Sequence, residues 1–92
     1  MEFLVEFVVS VPEGVEASEV EARKAAETRA AADLVRRGHL RRLWNIEDGS
    51  ILGLYWAHSR NELDAFLDEL PLRPWMTITV TQLSPHPSDP GK

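Results

Sequence analysis

The amino-acid sequence predicts an α+β fold of order βαββαβ, with a four-stranded antiparallel sheet carrying two helices on one face. Three observations indicate it. Apolar residues alternate in the first and last segments, two segments between them have helical caps, and an Asp-Gly pair separates two central strand candidates. With 92 residues the chain has room for one domain. We expect that domain to span residues 1–83, followed by an irregular, proline-containing tail at 84–92.

The first predicted strand, residues 2–11, has one wholly apolar face. Leu4 and Val8 fall on its other face, among glutamates. Pro12 and Gly14 end the strand. The apolar face consists of Phe3, Val5, Phe7 and Val9. This alternation is typical of a strand with one face against a core.

A long helix is predicted to begin at Ser18, because Glu21 follows three residues later at the spacing of a capping box. From there to Arg37 the chain has neither glycine nor proline and is rich in alanine, which favours a helix. Gly38 follows two arginines and is the expected stop.

Two strands are predicted over residues 39–47 and 50–57. Asp48-Gly49 lies between them and is a strong signal for a two-residue hairpin turn. We therefore expect the two strands to pair with each other in antiparallel fashion.

A second helix is predicted after Ser59, its cap, with Glu62 three residues on. Pro71 and Pro74 end this helix, and the last strand is predicted over 75–83, where apolar residues alternate with threonines. The apolar stripe of the helix consists of Leu63, Phe66, Leu67 and Leu70.

Composition and charge exclude several classes of function. A net charge of −5, with no basic run, disfavours a nucleic-acid partner. The absence of cysteine excludes disulfides and thiolate chemistry and fits a cytoplasmic protein. Glu2 and Glu6 interrupt the N-terminal apolar run, so we expect neither a signal peptide nor a membrane span. The three histidines share no metal-ligand spacing, so no metal site is predicted.

The sheet face that the helices leave uncovered is predicted to be more apolar than a solvated surface. We expect Leu4, Val8 and Trp44 there. Because large apolar patches usually mark contacts, this face is predicted to be a subunit interface, a ligand cavity or both. Scattered exposed apolar side chains are the alternative. The small size of the domain also favours a homo-oligomer.

One carboxylate interrupts the apolar face of the long helix. Glu27 lies seven residues from two members of that face, and so points the same way at 3.6 residues per turn. A carboxylate there is costly unless it is paired or neutral. Three interpretations are open: a salt bridge with Arg23 or Lys24, an edge position from which the carboxylate extends to solvent, or a pocket carboxylate with a raised pKa that acts as a general base. The face consists of Val20, Ala31 and Leu34.

Four further residues are candidates for substrate binding. Trp44 and Trp56 could contact a flat apolar ligand, with core or interface packing as the alternative. His39 and Arg42 are candidates for the oxyanion donor that proton removal beside a carbonyl requires. Otherwise His39 is an ordinary histidine at a strand edge.

The chain resembles the muconolactone Δ-isomerase family. The resemblance rests on four segments and covers nearly the whole chain: Lys24-Ala25-x-Glu27, Leu43-Trp44, Leu70-Pro71-Leu72-x-Pro74-x-Met76 and His86-Pro87-Ser88. It implies a ferredoxin-like fold, a ring-shaped homo-oligomer (typically a decamer) and no cofactor. It also implies a proton shift within an unsaturated γ-lactone in aromatic catabolism, with Glu27 in the active site.

One segment departs from that family. Typical members carry polar residues after the hairpin glycine, whereas this chain has Ser50-Ile51-Leu52-Gly53-Leu54. We therefore expect a cofactor-free isomerase or cyclase that acts on a small unsaturated lactone or a more apolar ring compound, in catabolism or secondary metabolism. A non-catalytic protein that binds a small ligand, or only keeps the family oligomer, is the alternative.

Overall fold

The structure, a computed structural model, describes residues 1–91 and has the predicted α+β architecture. Its elements are β1 (Glu2–Val9), α1 (Ala17–Arg36), β2 (Leu40–Asn45), β3 (Ile51–Trp56), α2 (Arg60–Asp68), a 3₁₀ turn (Arg73–Trp75) and β4 (Met76–Leu83). The strands form one antiparallel sheet in the order β2-β3-β1-β4. Residues 84–91 contain neither helix nor strand, and position 92 of the predicted tail lies outside the described residues.

Both helices pack on the sheet face that carries the alternating apolar residues of β1. Phe3, Val5 and Phe7 are at most 3% exposed. Leu34 of α1 joins their cluster, as do the apolar side chains of α2. These α2 residues are Leu63, Phe66 and Leu67. The predicted arrangement of two helices on one face is therefore confirmed.

The start of α1 differs from the prediction. The helix begins at Ala17, and the carbonyl of Glu16 accepts its first hydrogen bonds, including one from the Glu19 N–H at 3.0 Å. Ser18 therefore lies within the first turn and does not cap the helix, because the backbone has already turned helical before it. The end agrees within one residue, and Gly38 adopts the positive φ of +80° that terminates many helices.

The cap of α2 is the predicted one. The Ser59 hydroxyl accepts a hydrogen bond from the Glu62 N–H at 3.1 Å. The Glu62 carboxylate in turn accepts one from the His58 N–H at 2.8 Å. The first bond is that of a capping box, and the second binds the N–H of the residue just before the cap.

The hairpin between β2 and β3 is longer than predicted. The Gly49 N–H bonds to the Ile46 carbonyl at 2.9 Å, and the Ile46 N–H bonds to the Ser50 carbonyl at 2.8 Å. The loop therefore has three residues, 47–49, rather than two. A two-residue turn of the expected type needs positive φ at both central positions, whereas here only Gly49 adopts it, at +93°.

A bulge between Leu40 and Arg42 sets which side chains of β2 face the helices. Because side chains alternate along a strand, Leu40 and Leu43 would otherwise fall on opposite faces. The register pairs Leu40 with Tyr55 and Leu43 with Gly53, so both leucines face the helices. Arg42 consequently points to the uncovered face.

The uncovered sheet face has the predicted apolar residues. Leu4 pairs with Leu54, and Trp44 pairs with Leu52, all on this face. Val8 and Trp44 are 49% and 37% exposed. The expectation of an apolar second face is therefore confirmed, and below we call this surface the open face.

Candidate active site

A cavity of about 270 Å³ lies between α1 and the sheet. Its walls are almost entirely apolar, and Leu43, half exposed, contributes to them where the cavity meets the surface. Within residues 1–91, three of the lining side chains are polar: Glu27, Thr28 and Tyr55. The apolar lining consists of Phe7, Val9, Ala31, Leu34, Leu40, Leu43, Ile51, Leu70, Leu72 and Met76. Such a space suits a small, mainly apolar molecule.

Glu27 contributes a carboxylate to this apolar space. Its position on the inner stripe of α1 directs it towards the sheet, where it is partly buried. The Leu72 N–H donates a hydrogen bond to Glu27 Oε1 at 2.9 Å. Burial raises the pKa of the Glu27 carboxyl above its ordinary value, and this hydrogen bond lowers the pKa by a smaller amount. A carboxyl with a raised pKa is suited to accept and return a proton near neutral pH.

The two cations one turn away do not pair with this carboxylate. Within residues 1–91, neither Arg23 nor Lys24 forms a salt bridge with Glu27. Arg23 instead donates a hydrogen bond to the Pro71 carbonyl at 3.0 Å. Its guanidinium also lies 4.8 Å from the centre of the Trp75 ring. The salt-bridge alternative is therefore absent, and Glu27 has a backbone partner instead.

Tyr55 faces the same cavity from β3. Its ring is 3% exposed and packs against Phe7 and Phe66, each with ring centres 6.0 Å from it. Burial, and secondarily the charge of Glu27, raise the pKa of the Tyr55 hydroxyl well above its ordinary value. The hydroxyl therefore stays protonated and able to donate a hydrogen bond.

Two of the predicted substrate-binding residues lie on the open face. Arg42 and Trp44 stack there, with the guanidinium 5.0 Å from the ring centre. Neither side chain lines the cavity that holds Glu27. The structure does not bring them together with Glu27 in one subunit.

The other two predicted residues, Trp56 and His39, lie at the end of β3 that is away from the hairpin. Trp56 shares the open face and packs edge-on against His58, with ring centres 4.5 Å apart. His39 Nδ1 lies 2.9 Å from the Trp56 carbonyl, and its ring stacks on Phe66 at 4.7 Å. Neither Trp56 nor His39 is part of the cavity lining.

Sequence reasoning missed Tyr55 and the Pro71–Leu72 peptide. A signal for Tyr55 was present, because it alternates with Ile51 and Gly53 on one face of the strand after the hairpin. No sequence pattern indicates that the backbone at Leu72 meets Glu27, since the two residues are 45 positions apart.

In the part of the chain that the structure describes, no group of three or more His, Asp or Glu side chains could hold a metal ion. Neither helix in residues 1–91 is long and apolar enough to cross a membrane.

Fold and site together define a class: a small α+β protein with a cavity for an apolar molecule and one partly buried carboxylate suited to proton transfer. A family model described as muconolactone delta-isomerase matches residues 1–89. The chain belongs to this family. The predicted resemblance is confirmed, as are the ferredoxin-like fold and the interpretation of the protein as an isomerase of this kind.

Individual relatives agree with this assignment. Muconolactone delta-isomerases from Acinetobacter baylyi and Cupriavidus pinatubonensis are each 33% identical over 89 residues, covering 96% of this chain and 93% and 97% of theirs. The enzyme from Pseudomonas aeruginosa is 35% identical over 89 residues, covering 96% of this chain and 93% of its own. A crystal structure of muconolactone isomerase at 3.3 Å superposes with a TM-score of 0.91 and 32% identity, covering 100% of this chain and 97% of that one.

Proposed function

We propose that this isomerase moves a proton next to a carbonyl group in a small unsaturated lactone or a related apolar ring compound, with Glu27 as the base. The observation that carries the proposal is a carboxylate of raised pKa in an otherwise apolar cavity. A carboxyl held there has a stronger affinity for a proton than one in water, so it is matched to removing a proton from carbon.

In the proposed reaction Glu27 removes a proton from the saturated carbon that lies between the carbonyl and the C=C bond of the substrate. The C–H electron pair forms a new C=C bond, and the carbonyl π electrons move to oxygen, giving an enolate. Glu27 then returns the proton to another carbon of the conjugated system, and the enolate collapses to the carbonyl. The double bond has moved, and no oxidant, reductant or cofactor is consumed.

The lining of the cavity favours a substrate that is more apolar than muconolactone. Muconolactone is the lactone of a dicarboxylic acid and so keeps one free carboxylate. No Lys, Arg or His among the described residues lines the cavity, and the charge already there is the carboxylate of Glu27. A second anion in this space would be desolvated and repelled. We infer that the substrate carries no such charge at this position.

The open face supports a homo-oligomer as the working form. Its apolar surface includes Val8 and Trp44, and a domain of this size gains stability by covering such a surface. The predicted roles of Trp44, Trp56, His39 and Arg42 in substrate binding remain predictions, and they require that one subunit's side chains border another subunit's cavity. A cytoplasmic location likewise remains a prediction, based on the absence of cysteine.

Titration of the Glu27 side-chain carboxyl by carbon-detected NMR tests the proposed base without knowledge of the substrate. We expect a pKa above the value of about 4.3 for a free glutamate. A pKa at or below that value would contradict the assignment of Glu27 as the base.

A further inference from the structure

The reaction proposed above develops negative charge on the carbonyl oxygen, and a donor is needed there. Among the described side chains that line the cavity, only Thr28 and Tyr55 carry hydroxyl groups. The Thr28 hydroxyl already donates to the Lys24 carbonyl of its own helix at 3.1 Å. The Leu72 N–H is likewise engaged, with Glu27. Tyr55 is therefore the side-chain donor still available.

The Tyr55 hydroxyl has no hydrogen-bond partner within residues 1–91, although its ring is buried. Within residues 1–91, every fully enclosed side-chain N or O atom has a hydrogen-bond partner. Since the Tyr55 hydroxyl has none, its oxygen is not fully enclosed. A hydroxyl that is unbonded and not fully enclosed, on a side chain that lines the cavity, is one that a ligand can bind. Buried polar groups without partners are uncommon unless they serve such a purpose.

Gly53 leaves the space that the Tyr55 ring occupies. The ring lies back along β3, over the glycine. A Cβ atom added at Gly53 would sit 2.4 Å from Tyr55 Cε1, closer than any real Cβ contact. Gly53 and Tyr55 both face the helices, so the ring extends over the cavity floor rather than across the open face. The glycine thus makes room for a defined placement of the ring.

Glu27 and Tyr55 lie on different walls of the cavity, one on helix α1 and the other on strand β3. The Glu27 carboxylate is close enough for its charge to act on the Tyr55 hydroxyl. No hydrogen bond joins the two groups in residues 1–91. Apart from Thr28, the other described side chains that line the cavity are apolar, and in such surroundings a single hydrogen bond to a charged oxygen is strong.

We propose that the Tyr55 hydroxyl is the donor that binds the carbonyl oxygen of the substrate and stabilises the enolate formed when Glu27 removes the proton. The O–H bond of Tyr55 stays intact, and its hydrogen bond shortens as charge develops on the oxygen. This inference rests on the proposed function and adds its second catalytic residue. His39 and Arg42, the donors expected from the sequence, do not line this cavity.

Binding of 4-nitrophenolate, a flat ring bearing an oxyanion, tests the proposal. The background is Glu27→Gln, which keeps the shape and removes the charge that would repel the probe. Calorimetric titration compares this variant with Glu27→Gln/Tyr55→Phe. We expect the loss of one hydrogen bond to a charged oxygen to weaken binding roughly tenfold or more. Nitrobenzene, which has no oxyanion, is the control and should bind both variants equally.

The proposal would be overturned if the two variants bound 4-nitrophenolate with equal affinity, or if Glu27→Gln did not bind it at all. A second measurement covers the case in which the double variant does not fold. Tyr55 is the only tyrosine of the chain, so carbon-13 labelling at the tyrosine Cζ gives one NMR signal. Addition of 4-nitrophenolate to Glu27→Gln should shift that signal, and an unchanged signal would also overturn the proposal. Titration of Glu27 tests the proposed base separately. Failure of Tyr55 as the donor can therefore be distinguished from failure of Glu27 as the base.

Discussion

Arg23 and Glu27, one turn apart on α1, bind opposite sides of the same peptide group. Arg23 donates to the Pro71 carbonyl at 3.0 Å, and Glu27 accepts from the Leu72 N–H at 2.9 Å. The segment before β4 is therefore held to the helix by a cation and an anion that do not pair with each other. This arrangement fixes one oxygen of Glu27 and leaves Oε2 without a hydrogen bond in residues 1–91.

Glu27→Gln should abolish most of the isomerase activity while the fold is retained. The amide keeps the shape and can still accept the Leu72 N–H, but it cannot take a proton from carbon. Loss of a general base costs on the order of 10²–10⁴ in rate. Steady-state kinetics with a substrate that the wild-type protein turns over measures the effect. Glu21→Gln, at an exposed position of the same helix, should keep full activity.

The same substitution should change how stability depends on pH. The pKa of Glu27 is raised in the folded protein. The folded state therefore binds the Glu27 proton more tightly than the unfolded state does, and this difference stabilises the fold. The stabilisation is fully present below the unfolded pKa of about 4.3. It is lost as the pH rises through the pKa that Glu27 has in the folded protein. Urea unfolding from pH 4 to pH 8 should show a steeper loss for wild type than for Glu27→Gln, and parallel curves would contradict the raised pKa.

Arg23→Ala should destabilise the fold and loosen the Pro71–Leu72 peptide. It removes a hydrogen bond from a charged donor and the contact with Trp75. Because the Arg23 side chain is 37% exposed, solvent reduces these contributions to a sum of about 1–2 kcal/mol. Chemical denaturation measures this loss. Arg29→Ala, at an exposed site of the same helix, should change stability by less than about 0.5 kcal/mol.

Gly53→Ala should be destabilising because of the Tyr55 ring. The added methyl group would lie 2.4 Å from Tyr55 Cε1 and 3.2 Å from Leu43 Cδ1, so the ring must move. Overpacking of this kind costs about 1–3 kcal/mol. In a Tyr55→Leu background no ring covers the glycine, and the cost of Gly53→Ala should shrink. An undiminished cost in a double-mutant cycle would show that the ring is not its cause.

Turnover of muconolactone should be slow or absent. Among the described residues, no cationic side chain lines the cavity to accept a carboxylate, and the apolar Ile51 lies in the segment where the family resemblance led us to expect polar residues. A steady-state assay decides the matter. Turnover in the ordinary enzyme range of about 1–10³ per second would show that the apolar lining does not exclude this substrate.

The protein should be a homo-oligomer larger than a dimer, with the open face in a subunit interface. Light scattering at micromolar concentration gives the mass, and a single species near 10.4 kDa would contradict the prediction. Val8→Lys places a charge on the open face and should lower the mass. Val35→Lys is the matched control, because Val35 is an exposed valine of α1, away from the sheet.

The order of the elements and the unusual position of Glu27 could be predicted from the sequence alone. Both are local properties. Alternation in β1 and helical spacing in α1 follow from side-chain direction along a single element, and Glu27 stands out because it interrupts such a spacing. Ser59 as a cap is local in the same sense, since its partner is three residues away.

The contacts that those residues make could not be predicted in this way, because they depend on the folded chain. The partner of Glu27 is a backbone N–H 45 positions away, and the direction of Tyr55 depends on Gly53 beneath its ring. Leu43 reaches the cavity because a bulge shifts the register of β2. Such contacts depend on how strands pair and where a loop docks. A shift of one residue in pairing moves every following side chain to the other face, and apolar alternation alone does not locate that shift.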